Sequence, residues 1–278
     1  MTLPAFLGIG AMKAGTSAVH ELLAQHPDIA LPRHRKEVMF FDRYYDRGRD
    51  WYADHFSHAG SRTPGEVTPG YLFCPEAAAR IAAQVPEARL FVLLRDPVDR
   101  AYSQYKFHVK ESGQRQQVAE FLREHPNAIA RGRYHEQLSR YWAHFNREQL
   151  LVVFFEDFKN DPTGVMTQIF QHIGVDAAHV LSDAGRARNT STTPRFHRSY
   201  ALGRRLLAWL YAHDMAWVVH GLKRTGLKRL FIRQGTDPSA FAPMTEDDRQ
   251  TILAAVSDDL VSLQRALGRP LPPSWHTA

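Results

Sequence analysis

The chain of 278 residues is poor in cysteine and has no long apolar segment near its start. Cys74 is the single cysteine, so no disulfide can form within the chain, and this usage fits a reducing cytoplasm. The apolar run at residues 5–10 has no basic residues before it and is too short for a signal peptide or a membrane span. We therefore expect a cytoplasmic protein.

The sequence also lacks internal repeats and low-complexity segments, and 44% of its residues are hydrophobic and 23% charged. A chain of this length and composition buries one large core. We expect a single domain over 1–278 with a basic helical insertion at about 199–234. The formal net charge of +6 favours acidic ligands such as nucleotides, nucleic acid, anionic glycans or a membrane surface, although plain solubilising charge explains it equally well.

Apolar runs alternate with amphipathic segments along the chain. The runs at 5–10, 89–96 and 150–157 are continuous enough to predict buried strands. The segments between them predict helices, several of which start at a proline. This alternation predicts an α/β, P-loop-like three-layer fold with a central parallel sheet flanked by helices. The predicted helices cover 16–25, 50–56, 75–85, 97–111, 133–146, 161–173 and 245–267.

The stretch GIGAMKAGTSAV, at 8–19, has the pattern of a phosphate loop with a displaced lysine. Gly10 and Gly15 keep the spacing of the nucleotide-triphosphate loop G-x-x-x-x-G-K-[ST], but Thr16 stands where that loop has its lysine. The lysine is Lys13, inside the loop. A strand followed by a helix N-terminus forms an anion site from unpaired N–H groups and the helix dipole. The stretch therefore predicts a site for a phosphate-type anion.

A second basic side chain follows the strand at 89–96. Arg95 is expected beyond the carboxyl end of that strand, where open α/β sheets bind their ligands. Ser103 lies about two helical turns further on and is expected to reach the same anion. Arg95 stands before Asp96 where a nucleotide kinase would need a lone aspartate for magnesium. We therefore expect no metal.

Four blocks in this order resemble the sulfotransferase family, and most of all its bacterial and heparan-sulfate-type branch: MKAGTSAV, KEVMFFD, GEVTPGYLF and LLRDPVDRAYSQY. They span about 6–110, and a weaker similarity continues through EDFKNDPTGVMTQIFQHIGV to LGRPLPPSW. The resemblance implies transfer of a sulfuryl group from 3'-phosphoadenosine 5'-phosphosulfate (PAPS) to a hydroxyl or amine. The acceptor would be a carbohydrate, a glycolipid or a small molecule, and 3',5'-adenosine bisphosphate (PAP) the product.

The resemblance also implies roles for individual residues. Arg95 and Ser103 would hold the 3'-phosphate, and Arg195, in a late loop over 186–199, would close over the adenosine. Lys13 would meet the charge that develops on the leaving phosphate, so that no metal is required. The 5'-phosphosulfate would lie on Lys13, Ala14, Gly15, Thr16 and Ser17.

The acceptor must lose a proton, and the resemblance assigns that step to Glu37 in KEVMFFD. His20 and His108 stay open as alternatives, because another branch of the family uses a histidine. Val67 stands where the heparan-sulfate branch has a lysine, which weakens the case for a polysaccharide acceptor. The acceptor is expected to contact Glu66, Thr68, Tyr71 and His108.

Three further questions stay open on sequence grounds. The basic stretch at 204–233 either contacts a membrane surface from the cytoplasmic side or packs its apolar face on the domain. An ATP-dependent small-molecule kinase and a non-catalytic nucleotide binder are the alternative functions. We expect no nucleic-acid partner, and the sequence indicates neither a particular acceptor nor an oligomeric state.

Overall fold

A computed structural model describes residues 1–33, 35–179, 192–194, 232–234 and 241–275. Five parallel strands form a central sheet in the order β2-β3-β1-β4-β5, with helices against it, and this confirms the predicted α/β class. The strands are β1 (Phe6–Gly10), β2 (Ile29–Ala30), β3 (Thr63–Val67), β4 (Arg89–Leu94) and β5 (Leu150–Phe154). A separate antiparallel pair consists of β6 (Thr192–Pro194) and β7 (Ile232–Gln234).

The helices fill the connections between the strands and follow the last of them. They are α1 (Thr16–Leu23), α2 (Gly48–Asp54), α3 (Ala77–Gln84), α4 (Pro97–Ser112), α5 (Val118–Glu124), α6 (Asn127–Ala130), α7 (Tyr134–Trp142), α8 (Phe155–Asn160), α9 (Pro162–Ile173) and α10 (Glu246–Leu267). Short 3₁₀ turns lie at Tyr45–Arg47, Arg147–Gln149 and Pro273–Trp275. Within the described ranges, no helix has the length and apolarity needed to cross a membrane.

Strand β1 is central because its residues are apolar or glycine and all are buried. Close packing explains the glycines in this part of the sheet. A Cβ on Gly8 would lie 2.6 Å from the ring of Phe91, and a Cβ on Gly65 would overlap the ring of Phe6. Parallel strands covered on both faces have this continuous apolar character. The carboxyl ends of β1, β3 and β4 therefore meet at one edge of the sheet.

Local signals fix where α1 and α4 begin at that edge. Gly15 adopts a left-handed backbone (φ 92°) just before α1, and α1 buries Val19, Leu22 and Leu23 on one face, as predicted. Asp96 caps α4, because its Oδ1 accepts the N–H groups of Val98 and Asp99 at 2.8 and 3.1 Å. Both helix N-termini consequently face the end of the sheet where the anion site was predicted.

Candidate active site

The loop between β1 and α1 has the backbone geometry of an anion site. Lys13 (φ 71°) and Gly15 (φ 92°) both have left-handed backbones, which turn the chain sharply into α1. A Cβ on Gly15 would lie 2.8 Å from Cδ2 of Phe155, so only glycine fits there. The first N–H groups of α1, at Thr16 and Ser17, have no acceptor within the helix and carry the positive end of its dipole.

Lys13 lies in a cluster of positive charge. Its Nζ is 3.8 Å from the centroid of the Phe107 ring, a cation–π contact. Burial first, and then the charges of Lys110, Lys36 and Arg95, together lower the pKa of Lys13 to about 8, against an opposite effect of Glu37. A negatively charged ligand would relieve this repulsion, which is the electrostatic signature of an anion site.

Arg95 lies beside Lys13, as the sequence predicted. Its Nη1 donates to the carbonyl oxygen of Lys13 at 3.3 Å, and its Nη2 lies 3.3 Å from Oδ2 of Asp99. The guanidinium packs 4.7 Å from the ring centroid of Phe155. Its Nε is buried and has no hydrogen-bond partner among the residues that the structure describes. A buried guanidinium donor without a partner fits a phosphate ligand.

One cavity of about 1290 Å³ joins these side chains. It also extends to α4, to α5 and to the segment after β3. Nine of the predicted site residues line it: Lys13, Gly15, Thr16, Ser17, Glu37, Thr68, Arg95, Ser103 and His108. The structure thus brings together the loop after β1, the start of α4 and the proposed base on one surface.

Lys36 is a cavity residue that the sequence did not assign to the site. Its Nζ lies 2.6 Å from Oγ of Ser17 and 3.4 Å from Oε1 of Glu37. It therefore connects the anion loop with Glu37 across the cavity. Its position directly before Glu37 is the signal in the sequence that points to it.

The two candidate histidines differ in position. His20 is absent from the cavity wall, and burial lowers its pKa to about 4, so its ring is neutral near pH 7. His108 lines the cavity, with its ring centroid 4.6 Å from that of His125. Burial first, and then His125, lowers the pKa of His108. His125 also lines the cavity and was not singled out from the sequence.

Three predicted site residues lie beneath the cavity surface, namely Glu66, Tyr71 and Ala14. Glu66 and Tyr71 are fully buried and are absent from the cavity wall, whereas Thr68, although 1% exposed, reaches it. Ala14 is also fully buried, and its N–H donates to the carbonyl of Ala11 at 3.2 Å. The predicted Arg195, and the basic insertion at 199–234 apart from β7, lie outside the described residues.

No group of three or more His, Cys, Asp or Glu side chains in residues 1–33, 35–179 and 241–275 is arranged to hold a metal ion.

Comparison with known proteins identifies relatives over most of the chain. Residues 4–194 match the family model described as the sulfotransferase domain. The chain is 30% identical to the human bifunctional heparan sulfate N-deacetylase/N-sulfotransferase 3, in an alignment covering 98% of this chain and 31% of that protein. It is 33% identical to human heparan sulfate glucosamine 3-O-sulfotransferase 3B1, over 62% of this chain and 46% of that protein.

The fold has a counterpart among solved structures. The crystal structure of a sulfotransferase from Alicyclobacillus acidocaldarius is 25% identical and covers 100% of both chains with a TM-score of 0.72. The curated relatives are longer proteins, since the chain spans only 23–31% of the first three of them.

Proposed function

The chain belongs to the sulfotransferase family, and from this membership we propose that it transfers a sulfuryl group from PAPS to a hydroxyl or amine of an acceptor. The observation that carries the proposal is the pairing of the Lys13–Ser17 loop with Arg95 on one cavity that also holds Glu37. PAPS supplies the sulfuryl group, and PAP is the product. Membership of this family argues against an ATP-dependent kinase.

The donor end of the cavity is proposed to bind an anion with two phosphate positions. The N–H groups at the start of α1 and the hydroxyls of Thr16 and Ser17 bind the 5'-phosphosulfate. Arg95 and Ser103 bind the 3'-phosphate, and Arg195 is proposed to close over the adenosine. The lowered pKa of Lys13 and the unpaired Nε of Arg95 support an anionic ligand beside both side chains, because both gain from an anion.

The chemistry requires charge stabilisation at one side of the sulfuryl group and a base at the other. As the sulfur–oxygen bond to the donor phosphate breaks, negative charge builds on that phosphate oxygen and Lys13 stabilises it. A new sulfur–oxygen or sulfur–nitrogen bond forms to the acceptor, whose proton goes to Glu37. Lys13 supplies this positive charge from the protein, so the proposed reaction requires no metal.

The far side of the cavity is proposed to bind the acceptor. It presents both signs of charge and aromatic rings, a surface suited to a polar acceptor such as a carbohydrate, a glycolipid or a phenolic small molecule. The relatives named for heparan sulfate support a carbohydrate, whereas Val67, at the place of a lysine in that branch, argues against a long polysaccharide. The cavity residues that we assign to the acceptor are Asp42, Arg43, Thr68, Phe73, His108, Phe121, His125 and Arg131, all of which line it.

The proposed location is the cytoplasm, with contact to the membrane surface through the basic stretch at 204–233. This part of the proposal depends on composition, because those residues lie outside the described ranges apart from β7. We propose no nucleic-acid partner.

Calorimetry with PAP and with ATP tests the donor assignment. PAP should bind without magnesium and more tightly than ATP with or without magnesium. Arg95→Ala should weaken PAP binding by about 1.5–3 kcal/mol, the range for a hydrogen bond to a charged group. Tyr102→Phe, on the same helix but absent from the cavity wall, should leave the affinity unchanged. Unchanged PAP affinity in Arg95→Ala would remove Arg95 from the donor site.

Turnover is then measured as PAP release from PAPS with two acceptors, desulfated heparin oligosaccharides and 2-naphthol. Release above the rate without acceptor identifies the acceptor class. ATP-dependent, magnesium-dependent phosphorylation of either acceptor would instead support the kinase.

A further inference from the structure

The segment that carries Glu37 has an unusual anchor inside the protein. The three residues that follow Glu37 have N–H groups that point at side chains of β3 and of the turn after β3. Val38 N–H donates to Oε2 of Glu66 at 3.3 Å. Met39 N–H approaches Oγ1 of Thr68 at 3.5 Å, and Phe40 N–H donates to the hydroxyl oxygen of Tyr71 at 2.9 Å.

The two hydroxyls are themselves oriented by Glu66. The Thr68 hydroxyl donates to Oε2 of Glu66 at 2.6 Å, and the Tyr71 hydroxyl donates to Oε1 at 2.9 Å. Because each hydroxyl gives its hydrogen to the carboxylate, it turns a lone pair toward the N–H group behind it. One carboxylate therefore holds three successive N–H groups, the first directly and the next two through hydroxyls.

The anchor is buried within the protein. Glu66 and Tyr71 are fully buried, Thr68 is 1% exposed, and Glu66 lies on β3 opposite Leu7 of β1 in the middle of the sheet. Met39 has a left-handed backbone (φ 58°), a conformation that a non-glycine side chain keeps only when its surroundings impose it. The surroundings of this turn are the acceptors of its three N–H groups, namely Glu66 itself and the two hydroxyls that it orients.

We propose that Glu66, acting through Thr68 and Tyr71, is the positioning residue that fixes Glu37 over the cavity. The inference depends on the proposed function, in which Glu37 accepts the proton of the acceptor. It also gives Glu66 and Tyr71, predicted from the sequence to contact the acceptor, a different task. They hold the main chain directly after the base, and Thr68 does so while also lining the cavity.

Tyr52 offers a matched control within the same cluster. Its hydroxyl donates to Oε1 of Glu66 at 2.6 Å, and Tyr52 and Tyr71 are both fully buried. The two tyrosines differ in one respect, because in the described residues the hydroxyl of Tyr71 accepts the N–H of Phe40 while that of Tyr52 accepts none from this segment. Tyr71→Phe and Tyr52→Phe each remove one hydroxyl from one oxygen of Glu66, but only Tyr71→Phe releases the segment.

Hydrogen exchange of the peptide spanning 36–42, in protein bound to PAP, gives the first measurement and needs no acceptor. Exchange at Phe40 should be faster in Tyr71→Phe than in wild type and unchanged in Tyr52→Phe. Thr68→Val should raise exchange at Met39 in the same way. Equal exchange in the two tyrosine variants would overturn the proposal, whatever the acceptor.

Kinetics separate positioning from a general loss of structure. With the faster of the two acceptors, Tyr71→Phe should lower kcat about ten- to a hundredfold, as expected when a reacting group is misplaced, with the PAP affinity unchanged. Tyr52→Phe should stay within about twofold of wild type, since its effect does not reach Glu37. Equal kcat values in the two variants would contradict the proposal.

The double variant tests whether the effect passes through Glu37. In the background of Glu37→Gln, Tyr71→Phe should cause no further loss of kcat, because the base that it positions is already gone. A further loss of the same size would mean that Tyr71 acts independently of Glu37, and the positioning role would be lost. If wild-type protein fails to bind PAP, the proposed function fails, and that result is distinct from equal behaviour of the tyrosine variants.

Discussion

At the scale of single residues, three cations lie close together at the loop after β1, although the cavity wall as a whole also carries acidic side chains. Lys13, Lys36 and Arg95 approach one another around the loop after β1, and Lys110 adds to the field on Lys13. Folding tolerates this repulsion because a site for a highly charged ligand must be positive before the ligand arrives. A bound anion should therefore favour the protonated form of Lys13.

The affinity for PAP should depend on pH through Lys13. The protonated lysine attracts the anion, and its pKa of about 8 means that this form dominates at pH 7 and is lost as the pH rises through 8. PAP binding should weaken by about tenfold between pH 7 and pH 9 if Lys13 stays protonated in the complex. The phosphates are already ionised at pH 7, so they add little to this change.

Calorimetry at several pH values checks this expectation, and Lys13→Ala is its control. The variant should bind PAP more weakly at pH 7 and lose the additional weakening toward pH 9. The same pH dependence in wild type and variant would show that another group is responsible.

Glu37 is expected to act as the base, and its replacement should affect turnover more than binding. Glu37→Gln keeps the shape and removes the basicity, so kcat should fall by about 10²–10⁴. PAP affinity should stay within about threefold, because Glu37 contacts Lys36 rather than the loop itself. The measurement is PAP release at saturating PAPS, with PAP affinity determined separately.

His108→Ala gives the competing outcome. His108 lines the same cavity, and the histidine would be the base if His108→Ala lost turnover by that order while Glu37→Gln kept it. His20→Ala serves as the control, since His20 is absent from the cavity wall and its pKa of about 4 makes it a weak base.

At the scale of secondary-structure elements, the turn from β1 into α1 is the most constrained part of the site. Position 15 requires glycine for two reasons, the left-handed backbone there and the nearby ring of Phe155. Gly174, at the end of α9, shares only the first, because its φ is 78° and a Cβ there would meet nothing within 4 Å. The two glycines thus separate backbone strain from packing.

Gly15→Ala should lower the free energy of unfolding more than Gly174→Ala. Each variant costs about 1–2 kcal/mol for the left-handed backbone. Gly15→Ala adds a collision with Phe155, which overpacking data put at about 1–3 kcal/mol. Denaturant unfolding measures the difference, and PAP affinity should fall only in Gly15→Ala. Equal stabilities would mean that the Phe155 ring moves aside without cost.

The alternation of apolar runs and helices was enough to predict most elements and the class of the fold. Strand β3 was not predicted, because Thr63–Val67 contains Pro64 and Gly65, which are rare inside strands. The structure explains the glycine, since the ring of Phe6 occupies the place of its side chain. Such a requirement comes from a neighbouring strand and leaves no local periodic signal.

The site residues likewise include some that the sequence predicts and one, Glu66, whose position it does not. Lys13, Arg95 and Ser103 were predictable because they follow strand ends, and all parallel strands of a sheet end at one edge. Glu66 was expected to contact the acceptor, yet it is buried, and one of its partners is Tyr52, 14 residues earlier in the chain. A motif read along the sequence cannot tell which of its polar residues face inward when their partners come from elsewhere.

At the scale of the whole molecule, the basic balance of the chain is concentrated in one stretch. Residues 204–233 contain seven of the 35 Lys and Arg residues and one of the 29 Asp and Glu residues. The rest of the chain consequently carries 28 of each, so its formal charge is zero. The general attraction to acidic partners inferred from the net charge of +6 therefore belongs to this stretch, whereas the positive field at the cavity is local.

This stretch should bind anionic membranes if it acts at a surface. Its basic residues alternate with Leu, Trp and Tyr, a composition suited to the interface of an anionic bilayer. Each Lys or Arg near such a surface contributes about 1 kcal/mol. The protein should co-sediment with vesicles containing phosphatidylserine at low salt and dissociate as salt screens the charge. Neutralising Lys223, Arg224, Lys228 and Arg229 to Gln should weaken binding about 10²–10³-fold and leave PAP affinity unchanged. If the protein does not co-sediment at any ionic strength, these charges serve only to keep the protein soluble.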